Sequence, residues 1–414
     1  RPAPDRLTGF YLAMAGGGMV GGIFCAILAP LLYDWAYEHP ILMLAAALLV
    51  PQRPLFGFTA AIPRMMAWGL LLIAFGLSYA GDMRVADWID TNWAAIFSVA
   101  IALLALLFVG RRLQFALAFL ALMLSYGGWQ KLYQSERGLR TRSYFGIYTV
   151  NNRPFPPARI LTHGTTLHGV QSTLPGEALA PTSYYARGSG VGQAMAAAPV
   201  LYGPNARIGV VGLGAGTLTC YALPSEDWRV FEIDPAIVRI ARTRFTFLSG
   251  CAPQAKIVLG DARLSLSREP AHRLDILAVD AFSSDAVPMH LLTHEALGVY
   301  RRALAPNGLL LVHISNRYLD LAPVLAEGAK SEGWAAAGYQ YQPSIEEAAH
   351  NMSISIWIAM SPDPKALQRL KDAAGPDRRN WITLHPRPGF AGWTDDHASI
   401  LPILEGWRSW LPSR

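Results

Sequence analysis

Charge is scarce in this sequence. Asp, Glu, Lys and Arg make up 15% of its 414 residues, against roughly 25% in an ordinary soluble protein. Lysine is rare and forms no block interleaved with aromatics, so the net charge of +6 does not mark a nucleic-acid-binding surface. Cysteine is scarcer still: Cys25, Cys220 and Cys251 are odd in number and lack metal-type spacing. That pattern indicates neither a disulfide framework nor a zinc site, and it favours a reducing compartment. The first apolar run has no small-residue cleavage site of the signal-peptide kind. Because the chain opens at Arg1 without Met, a fragment or processed form is expected.

Apolar residues are abundant, 52% of the chain with a mean hydropathy of +0.25, and the excess lies before Tyr133. A membrane-crossing helix needs about 20 mostly apolar residues. Stretches 10–33, 65–80, 93–110 and 113–129 meet or approach that length, and 40–50 is a shorter fifth, so four or five spans are expected. The first carries Gly16, Gly17, Gly18, Gly21 and Gly22, which reads as a face for close packing against another helix. No Asp, Glu or Lys sits in mid-run, which favours an anchor over an ion-coupled transporter. Arg53, Arg64, Arg111 and Arg112 mark one side as cytoplasmic and Asp82, Asp87 and Asp90 the other, while Lys131, Arg137, Arg140 and Arg142 pull the end of the last run inward. The following domain is expected on the cytoplasmic side. Three regions are expected: a transmembrane helical region 1–132, a small β-rich domain 133–195, and an α/β domain 196–414.

After Asn205 short β-rich runs alternate with helical patterns, the signature of a doubly wound, Rossmann-like parallel sheet. Strands are predicted at 208–211, 229–233, 257–259, 274–279, 309–314 and 353–359. The first runs into Gly212-Leu213-Gly214-Ala215-Gly216, a turn that brings a ligand close to backbone and helix N-terminus. The next ends in Glu232-Ile233-Asp234, an acid about 20 residues after the first glycine that suits ribose hydroxyls. The third ends in Gly260-Asp261-Ala262, where a carboxylate and a backbone amide suit an adenine. This spacing fits S-adenosylmethionine folds better than nicotinamide enzymes. Each acid singly could instead cap a helix.

The fourth strand empties into Asp280-Ala281-Phe282-Ser283-Ser284-Asp285, at the strand ends where an open parallel sheet binds its ligand. An amine acceptor must lose a proton to become nucleophilic, and a nearby carboxylate takes it. Asp280 and Asp285 are therefore the catalytic candidates. A capping role for both is the plainer alternative. His313 lies inside an apolar run and reads as a core residue; Asn316 and Arg317, just beyond, are weaker substrate candidates.

These motifs together resemble the spermidine synthase family, the polyamine aminopropyltransferases, from about Tyr144 onward. The resemblance implies a small N-terminal β-domain at 144–148 and 163–171, Gln171 as a nucleotide contact, and Tyr184 or Tyr185 as the acceptor-side tyrosine. Phe10-Tyr11-Leu12, the glycine-rich first helix and Trp393-Thr394-Asp395-Asp396 are similar to the membrane-fused subgroup, whose longer members have further upstream helices. It also implies a transferase of polyamine biosynthesis using decarboxylated S-adenosylmethionine, without metal, with a small amine acceptor, a lipid bilayer and a homodimer as partners. Departures fall on the polyamine side. Ala215 stands where the family has Asp, Pro181-Thr182-Ser183 where it has an acidic pair, and Ala281 and Phe282 lengthen its Asp-Ser-Ser-Asp loop. Two other readings follow: methyl or alkyl transfer from S-adenosylmethionine itself, and a non-enzymatic nucleotide-binding membrane scaffold.

Overall fold

The structure is a computed structural model that describes residues 3–49, 53–86, 88–281, 288–375 and 380–404. The chain divides into two compact units, Arg1–Ile147 and Tyr148–Arg414.

The first unit is helical and closes in a short strand, β1 (Arg140–Arg142). Helix Leu7–Ile23 runs through a wider turn, Phe24–Leu28, into Ala29–Leu32. Helices Arg64–Met83, Thr91–Leu107 and Arg112–Met123 pack through Ala67, Leu71, Ala74, Ile101, Ala105, Ala118 and Ala121. Small side chains at these contacts let the backbones approach closely. Asp90 caps the second of these helices, accepting from the Asn92 and Trp93 amides. Two helices, Pro4–Leu32 and Arg64–Met83, are long and apolar enough to cross a membrane; Glu38–Leu49 and Thr91–Leu107 are apolar but shorter. Of the four or five spans expected, two coincide with a helix of that length and composition among the described residues. Backbone breaks account for the shortfall: Gly110 turns at φ +98° hard against Pro54, and Tyr126 and Gly127 leave helical geometry. The glycine face of the first helix is open in the described residues. A Cβ at Gly16, Gly17, Gly18, Gly21 or Gly22 would meet nothing within 4 Å among the described residues.

The second unit opens with an antiparallel meander of β2 (Ile147–Arg153), β3 (Ala158–His163) and β4 (Thr166–Ser172). Then comes an eight-stranded sheet: β5 (Arg207–Val211), β6 (Asp227–Glu232), β7 (Lys256–Leu259), β8 (Leu274–Val279), β9 (Leu304–His313), β10 (Ala335–Tyr341), β11 (Ser355–Ser361) and β12 (Trp381–Thr383), ordered β12-β10-β11-β9-β8-β5-β6-β7. Strands β9, β8, β5, β6 and β7 run parallel, while β11, β10 and β12 join antiparallel at one edge. The sheet is therefore a mixed Rossmann-type sheet rather than a purely parallel one. Residues alternate between two cores: Ile208, Ile276 and Leu309 face one, and Val211, Leu277 and Leu310 the other. Helices Gly190–Tyr202 and Pro235–Arg244 cover the first face, His294–Ala303 and Ala322–Glu332 the second. Both faces being covered explains why β8 is buried along its whole length.

Candidate active site

From β5 the chain steps outward to β6 and β7, then returns to β8 on the other side of β5. Such a reversal opens a crevice at the carboxyl ends of the strands. Backbone bonds tie those ends together: the Asp280 amide donates to the Val211 carbonyl (2.9 Å), Gly212 to Phe231 (2.9 Å) and Gly260 to Glu232 (3.0 Å).

The glycine loop is built for close approach. Gly212 and Gly214 have φ of +94° and +53°, and a Cβ there would lie 2.2 Å from the Asp280 carbonyl oxygen and 2.6 Å from that of His168. Only glycine fits such positions without strain. Gly216, at φ +91°, precedes the turn Thr217–Tyr221. Ala215 is 1% exposed and lies against Gly169, whose own added Cβ would stand 2.4 Å from the Ala215 methyl. Only glycine at 169 lets β4 pass this close to the Ala215 methyl.

The three acids of the predicted nucleotide motif divide their roles. Glu232 braces the loop: its two carboxylate oxygens accept from the Leu213 and Asp234 amides, each at 2.9 Å. Burial raises its carboxyl above the ordinary range, and the backbone bonds work against that rise. Asp234 and Asp261 are helix N-caps, accepting from the Ala236 and Leu264 amides at 2.8 Å. Asp261 also lies 3.4 Å from His290 Nε2, and Ala262 starts the helix that it caps. Gln171 is committed internally, its amide nitrogen donating to the Ala178 carbonyl (2.8 Å) and Thr246 hydroxyl (2.7 Å). It secures β4 rather than presenting its amide to the crevice.

At the reacting centre Asp280 is buried and holds two partners. One carboxylate oxygen pairs with His313 Nδ1 at 2.8 Å, and the other accepts from the Tyr185 hydroxyl. His313 Nε2 meets Ser315 Oγ at 2.7 Å, and that oxygen accepts from the Ile356 amide at 2.8 Å. The imidazole is sandwiched between the rings of Tyr184 (4.8 Å) and Trp357 (4.7 Å). Burial works to raise the Asp280 carboxyl, but the charge and hydrogen bond of His313, the Tyr185 bond and nearby His168 leave it below its usual value. Burial, together with the Asp280 charge, drives the Tyr185 hydroxyl well above its ordinary value, so it stays a protonated donor. Of the two predicted tyrosines, then, Tyr185 reaches the carboxylate, whereas the Tyr184 hydroxyl donates to the Leu167 carbonyl at 3.3 Å.

Asp285 lies outside the described residues. Asn316 folds back on its own loop, accepting from the Tyr318 and Leu319 amides at 2.9 Å, and Arg317 is exposed. His313, read from the sequence as a core residue, belongs to the site, and Ser315 and Trp357 gave no sequence signal. His163 and His168 stand 5.7 Å apart by ring centroids, and His168 Nε2 is buried without a hydrogen-bond partner among the described residues. Burial pushes the His168 imidazole down to about 4, against the pull of Asp280.

One expectation is overturned beside the loop. Cys220 and Cys251 form a disulfide, their Cα atoms 4.7 Å apart, joining Thr217–Tyr221 to helix Phe247–Cys251. Thirty-one positions of sequence separation hid the pairing. Disulfides persist in oxidising compartments, so the bond weighs against the reducing surroundings inferred from cysteine count.

No protein-family model matches the sequence. A polyamine aminopropyltransferase of Vibrio vulnificus (strain CMCP6) is 26% identical over 219 residues, which cover 51% of this chain and 68% of that protein. The resemblance carried by the motifs is therefore borne out by direct sequence similarity to a transferase. Among solved structures, a probable spermidine synthase of Corynebacterium glutamicum is 17% identical with a TM-score of 0.46, covering 63% of this chain and 97% of that one. Spermidine synthase of Thermotoga maritima is 13% identical with a TM-score of 0.39, covering 56% and 74%. At those TM-scores neither superposition bears on function.

Proposed function

We propose that the chain is a membrane-anchored transferase of the aminopropyltransferase type, moving an aminopropyl group from decarboxylated S-adenosylmethionine to an amine. The observation that carries this reading is Asp280, a buried carboxylate between an imidazole and a phenol, beside the glycine loop at the sheet's switch point. The similarity to the Vibrio enzyme supports it.

Adenosine recognition is assigned to the strand ends beyond Asp280. Ile233, Leu259 and Leu264 are large apolar residues left exposed at the ends of β6 and β7, beside Asp234 and Asp261. They offer a flat ring an apolar seat next to acceptors for amine and hydroxyl groups. The sulfonium donor supplies the electrophilic carbon: the amine nitrogen bonds to it, and the carbon–sulfur bond breaks toward sulfur. The chain's own part is to take the proton that the amine sheds. A carboxylate held below its ordinary pKa is a weak base, and His313, with Nδ1 against one oxygen, keeps it in place to receive that proton. Tyr185, fixed as a donor, keeps the other oxygen in place.

A second reading, transfer of a methyl or other alkyl group from intact S-adenosylmethionine, is favoured by Ala215. Its methyl faces Gly169 where the family carries a carboxylate, so that residue does not repel a donor that retains its own carboxylate. Calorimetric titration of the detergent-solubilised chain separates the two. Selective binding of decarboxylated S-adenosylmethionine and of methylthioadenosine supports aminopropyl transfer; preference for intact S-adenosylmethionine supports the alternative. Binding of none of the three overturns both. Anchoring is assigned to Pro4–Leu32 and Arg64–Met83, the two helices of sufficient length.

A further inference from the structure

The helical unit contains a second, unrelated set of charges. Arg140 is 6% exposed, yet its Nε and Nη1 are buried with no hydrogen-bond partner among the described residues. Only its Nη2 is engaged, by the Lys131 carbonyl and by Gln134 Oε1 at 3.0 Å. The Lys131 ammonium stands beside it. Both cations flank the Trp35 ring, with Lys131 Nζ 6.0 Å and the Arg140 guanidinium carbon 5.9 Å from its centroid. Burial and the neighbouring Arg140 charge lower the Lys131 pKa, and Asp82 counters only part of this.

The nearby carboxylates are taken up elsewhere. Glu38 pairs with Arg142 through two bonds of 2.8 and 2.9 Å. Asp34 accepts from Ser135 at 2.8 Å, and Asp82 from the Gln130 amide at 2.9 Å. Two adjoining cations, the Arg140 guanidinium buried and the Lys131 ammonium partly exposed, thus stand without a hydrogen-bonded anion among the described residues. That imbalance is relieved when an anion enters.

Lys131 also lines a groove of about 850 Å³ within the same unit, whose other walls include Trp35, Met43, Leu44, Phe119 and Met123. The groove is almost wholly apolar, and Tyr33, Trp35 and Tyr37 gather at its charged end. Aromatic residues of this kind concentrate where hydrocarbon meets headgroup. A charge deficit at one end of an apolar trough matches a molecule with an anionic head and hydrocarbon tail, whereas a free anion would leave the trough empty.

We infer that this groove binds one anionic phospholipid, its phosphate against Lys131, to which the adjoining Arg140 adds a second positive charge, and an acyl chain along Leu44 and Phe119. The site belongs to the helical unit and is independent of the transferase reading.

Native mass spectrometry of the delipidated, detergent-solubilised chain tests it, with added dioleoyl phosphatidylglycerol or dioleoyl phosphatidylcholine; inorganic phosphate is titrated by calorimetry. The expected result is one phosphatidylglycerol per chain, bound about tenfold tighter than phosphatidylcholine, a difference of about 1.4 kcal/mol. Lys131→Gln should erase the preference and leave phosphatidylcholine binding unchanged. Leu44→Trp, which fills the groove and leaves both cations, should weaken both lipids about tenfold. Retained circular dichroism and an unchanged melting temperature identify folded variants, and Arg140→Lys, which keeps the charge, should retain the preference. Equal affinity for the two lipids, or an unaltered preference in folded Lys131→Gln, overturns the inference. Phosphate binding as tightly as phosphatidylglycerol overturns the lipid assignment in favour of a free-anion site.

Discussion

At the scale of single residues, the chemistry rests on how Asp280 is held. Asp280→Asn keeps shape but removes the negative charge, and it should lower kcat by about 10²–10⁴-fold while leaving nucleotide affinity within a few-fold. Steady-state kinetics with the donor chosen by calorimetry, alongside titration of methylthioadenosine, checks both halves. His168 bears on stability. Its imidazole is pushed down to about 4 by burial in the folded chain, against an ordinary value of 6.5. Between those values the unfolded chain takes up a proton that the folded chain refuses, so stability falls as pH drops from 6.5 toward 4. From pH 7 to pH 5 the loss should be about 2 kcal/mol. Denaturant unfolding of the second unit at both pH values measures it, and His168→Gln should remove most of the difference. An equal slope in that variant would assign the loss to other groups. Asp280, held below its ordinary value, adds a contribution present above the unfolded carboxyl pKa and lost only in more acidic solution.

At the scale of elements, the glycine loop and the strand ends form one unit. Gly212→Ala forces a Cβ to within 2.2 Å of the Asp280 carbonyl oxygen at φ +94°. It should destabilise the second unit by roughly 1–3 kcal/mol through backbone strain alone and weaken nucleotide binding. Gly298, in helix His294–Ala303, has open space around it and no left-handed backbone. Gly298→Ala should raise stability by roughly 0.4–1 kcal/mol. Melting curves of the two variants should move in opposite directions. Of the parallel strands, β5, β7 and β8 were legible as mainly β-branched and aliphatic runs that stop at a glycine or an acid, whereas β9 ends at His313 and begins five residues before its predicted start. Strand β10 was not: Ala335-Ala336-Ala337-Gly338 has no strand-like composition, and pairing with β11 and β12 imposes the conformation. Strand β12, three residues long, is beneath the reach of periodicity.

At the scale of the whole molecule, the disulfide and the membrane helices bear on the same question. Cells quenched with a membrane-permeant alkylating reagent, followed by non-reducing digestion and mass spectrometry, should yield a linked peptide containing Cys220 and Cys251. That result would assign the second unit to an oxidising compartment. Recovery of both cysteines alkylated would return it to the cytoplasm, where the nucleotide donor is made. The polyamine half of the site follows the same division between local and global information. Ala215 was visible in the sequence as a departure from the resembled family, but only the structure shows that its methyl packs against Gly169.

The sequence by itself determined where β5, β6, β7 and β8 end, to within one residue, which residue punctuates them and that Asp280 stands at the mouth of the crevice, because these depend on local composition and spacing. Only the tertiary structure decided the partners. It brought His313 to Asp280 from 33 positions away and Tyr185 from 95. It turned Gln171 inward, assigned Asp234 and Asp261 to caps, and joined Cys220 to Cys251. Hydrogen bonds and disulfides act over a few ångströms. Which atoms come that close depends on how the sheet is ordered, and no single stretch of chain carries that order.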